Sequence, residues 1–169
     1  MNRAQIEALL QEVSAGNLAV TDALERLRGL PFEDIGFAKV DHHRALRTGM
    51  PETIFAEGKT PEQVAGIFAH MAAAGGNVLA TRASHKVFEA VVAKAPQAVY
   101  HTTARAITLE QTEAVAGKGM IGVICAGTSD LPVAEEAAVT ARLMGNTVDL
   151  IADVGVAGIH RLMAQKDAL

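Results

Sequence analysis

Disulfides, tryptophan and any long hydrophobic run are missing from this 169-residue chain. With Cys125 as its one cysteine it can form no intrachain disulfide, and a reducing cytoplasm is the expected compartment. Trp is absent and Tyr100 is the single tyrosine, which argues against an aromatic platform for stacking single-stranded bases. Basic surface is lacking too: the formal charge is −4 and the pI near 5.8, so neither nucleic acid nor an acidic membrane is an expected partner. Any anionic ligand must be held by a local site. The first ten residues carry Arg3 and Glu7 and lack the apolar core of a secretory signal, and no stretch approaches a membrane span. Low-complexity sequence is also missing. Half the residues are hydrophobic and a fifth charged, the balance of a folded chain able to bury a core.

What is present reads as α/β. Ile6, Leu9, Leu10 and Val13, then Val20, Ala23, Leu24 and Leu27, repeat at helical spacing around a Ser14-Ala15-Gly16-Asn17 turn, predicting a helical hairpin closed by Pro31. Residues 35–40 suit a short strand. Residues 41–59 are polar, charged and broken by Gly and Pro, and read as a long loop or an irregular strand pair. Thr60-Pro61-Glu62-Gln63 has the form of a capping box with Pro at the first helical position, and Val64, Ile67, Phe68 and Met71 give the helix that follows a buried stripe. Residues 77–81, 98–102 and 105–109 read as strands, with a short helix to Lys94 among them. Gly117-Lys118-Gly119 marks the expected boundary between a domain over 1–117 and a second over 118–169.

The second part carries the most informative pattern. A strand over 120–125 opens into Ala126-Gly127-Thr128-Ser129-Asp130-Leu131-Pro132, and a helix follows over 132–144. A second strand over 147–152 opens into Asp153-Val154-Gly155-Val156-Ala157-Gly158-Ile159-His160-Arg161. Consecutive strand ends that open into Gly-containing turns are how a parallel sheet builds a ligand crevice. At the first turn, backbone amides at a helix start favour an anion while Thr128 and Ser129 offer hydroxyls and Asp130 a carboxylate; plain capping by Ser129 or Asp130 is the alternative. At the second, Gly155 and Gly158 permit close backbone approach, His160 can exchange protons near neutral pH, and Arg161 can pair with phosphate or carboxylate. A capped helix with a surface arginine and a core histidine is the plainer account. The first turn is neither a Walker loop, lacking Gly-Lys-Ser/Thr, nor a dinucleotide fingerprint. Two parallel strands are too few for a self-sufficient sheet, so the expectation is a truncated chain or a sheet completed elsewhere.

Three further groups carry side chains capable of chemistry. His42 and His43 are adjacent, and in a strand would point to opposite faces, a poor chelating pair; no protein metal site is expected. Cys125, without a CxxC partner, suits a small core residue better than a nucleophile. Arg44, Arg47, Glu52 and Lys59 crowd one Gly-broken segment, and Thr81-Arg82 ends a strand; solvated charge is the ordinary account, an anion-binding loop the functional one.

On these residues the chain resembles the LarB family of nickel-pincer nucleotide cofactor biosynthesis. The segments that carry the resemblance run from Asp41-His42-His43-Arg44 through Arg47-Thr48-Gly49-Met50-Pro51-Glu52 to Gly58-Lys59-Thr60, then Thr81-Arg82-Ala83-Ser84, the first turn as far as Ala137, and the second turn. The resemblance implies an α/β fold: an N-terminal helical hairpin and small α/β domain, then the first βα units of a flavodoxin-like, PurE-like parallel three-layer domain. It implies carboxylation of the pyridinium ring of nicotinic acid adenine dinucleotide by carbon dioxide or bicarbonate, with phosphoanhydride hydrolysis releasing AMP. It also implies Mg2+ on the substrate pyrophosphate, no tightly bound organic cofactor, and a homo-oligomer. Carried over residue by residue, Asp130 and His160 are the expected catalytic groups, and Arg44, Arg47, Thr81, Arg82, Gly127, Thr128, Ser129, Gly155, Gly158 and Arg161 the substrate-binding ones. The family's reaction uses a thiolate that adds to the ring and makes it electron-rich, from a cysteine in the C-terminal part of the carboxylase-like domain. Cys125 does not match that position, so carboxylation by this chain alone is expected to be weak or absent. An aminoimidazole ribonucleotide carboxylase and a non-catalytic nucleotide-binding or assembly module are the competing readings.

Overall fold

The structure is a computed structural model that describes residues 3–27 and 32–166, with the side chains of residues 3, 4, 46 and 47 outside that description. The expected hairpin is present as α1 (Arg3–Ser14) and α2 (Val20–Leu27). Leu9 and Ala23 are its buried residues, while Leu10, Val20 and Leu24 stay exposed. Pro31, the expected end of the second run, lies outside the described residues.

A two-residue antiparallel ladder follows, β1 (Glu33–Asp34) with β2 (Lys39–Val40), turning at Gly36. The polar segment after it is more ordered than its composition suggests. Arg44–Thr48 forms a short helix, α3, ended by Gly49 in the left-handed conformation (φ 76°), and Thr53–Phe55 forms β3. The five residues of α3 include Ala, Leu and two Arg, all good helix formers, and Gly49 supplies the stop.

The helix α4 (Pro61–Ala73) starts on the predicted capping box: Thr60 Oγ1 accepts from the Gln63 amide at 3.3 Å, and Gln63 Oε1 accepts from the Thr60 amide at 3.0 Å. After it come β4 (Val78–Thr81), α5 (His85–Val92), β5 (Val99–His101) and β6 (Ala106–Leu109). The strands order as β3-β4-β6-β5, with β3 parallel to β4 and the other two pairings antiparallel. Strand alternation splits the sheet's residues between two cores. Val78, Ala80, Ile107 and Leu109 join Val64, Phe68 and Val91 of α4 and α5 on one side. Leu79 and Ala106 face the other side, against Val139 and Leu143.

Those last two residues belong to α6 (Leu131–Leu143), the crossover between β7 (Met120–Ile124) and β8 (Thr147–Ile151), which pair in parallel from Met120–Thr147 to Ile124–Ile151. One helix thus contacts both the four-stranded sheet and the β7–β8 pair. Gly145, just after α6, has φ 85°, and a Cβ there would come within 2.4 Å of the Val115 carbonyl oxygen, so the turn back into β8 requires glycine. The chain closes on α7 (Ile159–Met163). Among the described residues no helix is long and apolar enough to cross a membrane.

Candidate functional site

The two turns lie side by side and are joined by main chain. Cys125 donates to Ile151 O at 3.0 Å, Val154 to Cys125 O at 3.3 Å, and Gly155 to Ala126 O at 3.0 Å. A Cβ on Gly155 would stand 3.0 Å from the Ala126 oxygen, so glycine is what lets the second turn close on the first. Cys125 is buried beneath them, as a core residue.

Within the first turn, Thr128–Asp130 forms a single 3-10 turn leading into α6. Asp130 Oδ2 accepts from the Gly127 amide at 2.9 Å, so its carboxylate braces the turn. Thr128, Ser129 and Asp130 are all exposed. In the second turn, Val156–Gly158 is again a 3-10 turn, ahead of α7. Asp153 adopts φ 60°, a conformation that Asp tolerates better than most residues, and its Oδ2 meets Arg161 Nη1 at 2.5 Å. His160 is exposed and Arg161 half-buried. The structure therefore brings Gly127, Thr128, Ser129 and Asp130 together with Gly155, Gly158 and Arg161 on one rim. That rim offers exposed hydroxyls and one guanidinium, which is paired with Asp153.

Arg82 enters from the other sheet. It ends β4 at φ 54°, and its Nε donates to Glu136 Oε2 on α6 at 2.9 Å. Thr81 lies behind it, half-buried, its carbonyl accepting from the Ala56 amide. Two of the segments singled out in the sequence thus meet in an ion pair that the sequence did not reveal, although Glu136 sits inside one of them.

The segment around 41–53 stands elsewhere. A cavity of about 740 Å³ is lined by Asp41, His42, Gly49, Met50 and Glu52 on one side and by Leu143, Met144 and Asn146 on the other. It is at the C-terminal end of α6, whereas the first turn feeds its N-terminal end, about 18 Å away at 1.5 Å per residue. A smaller cavity of about 420 Å³ runs along α6 between Met50, Ile121, Val133, Glu136 and Thr140. Arg44 is exposed on α3 and lines neither cavity. The Arg47 side chain lies outside the described residues.

Two ionisable clusters escaped the sequence reading. Glu33 bridges two imidazoles, with Oε2 at 3.0 Å from His42 Nε2 and Oε1 at 2.9 Å from His70 Nδ1. The His42 hydrogen bond is the main reason the Glu33 carboxyl is held below its usual range, with burial opposing and His70 adding to it. The adjacent-histidine spacing gave no hint, since the shared partner comes from β1. On the α6-facing side of the sheet, His101 Nε2 lies 2.9 Å from Thr108 Oγ1; burial pushes this imidazole below its usual value, against the pull of Glu135 and Glu110.

Among the described residues no three His, Cys, Asp or Glu side chains come together as a metal site. The carboxylates nearest the crevice, Asp130 and Asp153, sit on different turns and are engaged with Gly127 and Arg161.

The class defined by this architecture is an α/β protein in which a mixed sheet with its own helices packs on a parallel βαβ unit. Residues 32–111 match the family described as LarB/PurE-like N-terminal domain. Over 161 residues the chain is 30% identical to an uncharacterized protein of Methanocaldococcus jannaschii, covering 91% of this chain and 63% of that relative. The chain therefore spans less than two thirds of the length of the curated relative it matches.

Proposed function

We propose that this chain takes part in building the nickel-pincer nucleotide, holding nicotinic acid adenine dinucleotide while its pyridinium ring is carboxylated and its phosphoanhydride hydrolysed to release AMP. The observation that carries the proposal is the joined pair of turns, in a chain that also has a LarB-type domain over 32–111. Main-chain amides and the Thr128 and Ser129 hydroxyls suit phosphate oxygens. Arg161 and Arg82 supply positive charge for phosphate or carboxylate. His160, exposed beside Arg161, is available to move a proton or orient the ring substituent.

Magnesium in this reading arrives on the substrate's pyrophosphate. Ring activation by a thiolate is not assigned to Cys125, which is buried under the turns. The proposed setting is the cytoplasm and a homo-oligomer, for which the exposed Met120, Ile121 and Ile124 of β7 supply apolar surface. The LarB-type N-terminal domain favours this reading over aminoimidazole ribonucleotide carboxylation.

The test is to titrate the chain with the pyridine dinucleotide and with aminoimidazole ribonucleotide, each with magnesium and bicarbonate, and to assay AMP. Binding of the dinucleotide in preference to the imidazole nucleotide supports the proposal. The reverse preference, or no nucleotide binding, refutes it. Binding without any AMP leaves a nucleotide-holding module, the non-catalytic reading.

A further inference from the structure

We infer that Glu136 is a positioning residue that aims Arg82 at an anionic group of the bound ligand. The inference rests on the reading above that Arg82 pairs with phosphate or carboxylate, and extends it to a residue given no part in it.

A guanidinium presents five N–H donors in one plane. Glu136 engages it through Nε, and among the described residues no hydrogen bond is made by Nη1 or Nη2. Fixing the plane through Nε leaves the two terminal nitrogens as a fork for a second anion. Glu136 is suited to hold that plane. It stands in the second turn of the 13-residue α6, its side chain is 19% exposed against 39% for Arg82, and its carbonyl accepts from Thr140 Oγ1 at 2.7 Å.

The backbone of Arg82 is fixed from the opposite side. Ala56 donates to Thr81 O at 2.9 Å and Ala83 donates to Arg105 O at 2.7 Å, which holds Arg82 at φ 54° between them. A side chain other than glycine is disfavoured in this region. A partly exposed ion pair contributes little to stability. Stability alone therefore gives no reason to keep a strained arginine here, whereas delivering its guanidinium to α6 at a set angle does. Glu136 also lines the smaller cavity that runs along α6.

The experiment measures the dissociation constants of inorganic pyrophosphate and of nicotinic acid adenine dinucleotide by calorimetry at low salt, for wild type, Glu136→Ala, Glu136→Gln, Arg82→Ala and the double alanine variant. Proton exchange at the Arg82 Nε–H is followed by NMR in the same proteins, with thermal melting to confirm folding. Glu136→Ala should weaken anion binding roughly fivefold to tenfold and speed Nε–H exchange. Glu136→Gln, which can still accept from Nε, should restore both, and Glu136→Ala should add nothing in the Arg82→Ala background. Pyrophosphate binding with this pattern but no dinucleotide binding would keep the inference and remove the proposed function. Equal losses in both backgrounds, no rescue by glutamine, or no binding of either anion would overturn it.

Discussion

The two sheets of this molecule are built to opposite standards. In the four-stranded sheet, Val78, Leu79, Ala80, Ala106, Ile107 and Leu109 are all buried, because helices cover both faces. In the β7–β8 pair, Met120 is 58% exposed and Ile124 49%, although the residues are just as apolar. The polar turns assigned to ligand binding spring from the less covered pair. The proposed chemistry would be mounted on the less covered of these two elements, and α6 contacts both of them.

That contrast can be broken by mutation. Phe68 is fully buried under the four-stranded sheet, and Phe68→Ala should cost about 3–5 kcal/mol in denaturant unfolding. Ile124→Ala should cost less than about 1 kcal/mol. A loss at Ile124 rivalling that at Phe68 would mean that the exposed face is covered in solution, and sedimentation of the same sample would show the association. Thr60→Ala removes half of the α4 capping box and should lower stability by about 1 kcal/mol. Arg82→Ala should change stability by less than that, since its pair with Glu136 is partly exposed and its strained backbone is relieved little by alanine.

The smallest effect concerns pH. The Glu33 carboxyl is held below its ordinary value of 4.5, first by the His42 hydrogen bond, so the folded state favours its charged form. Its contribution is complete above pH 4.5 and disappears as pH falls through the lowered folded value. Glu33→Gln should therefore lower the melting midpoint slightly at pH 6, and the difference from wild type should close in stronger acid. A difference that widened in acid would contradict this assignment.

Local sequence rules reached most of the elements because the signals were local. The capping box at Thr60 and Gln63, the stop at Gly145 and the βαβ periodicity around α6 each act within a few residues. They failed in residues 41–59, where charge concealed the helix formers of α3. They also could not pair residues from distant elements: Glu33 with His42 and His70, or Arg82 with Glu136, 54 positions apart. For the site, the turns were legible as a pair because glycine and hydroxyl residues recur after each strand.

The most direct test of the account is the affinity of nicotinic acid adenine dinucleotide for wild type and for Arg161→Ala, measured by calorimetry with magnesium present. If the joined turns hold the nucleotide, the substitution should weaken binding by about tenfold or more, from loss of a charge-assisted contact. Unchanged affinity would show that the ligand is held elsewhere, and the cavity beside Asp41 and Met144 would then be the place to look.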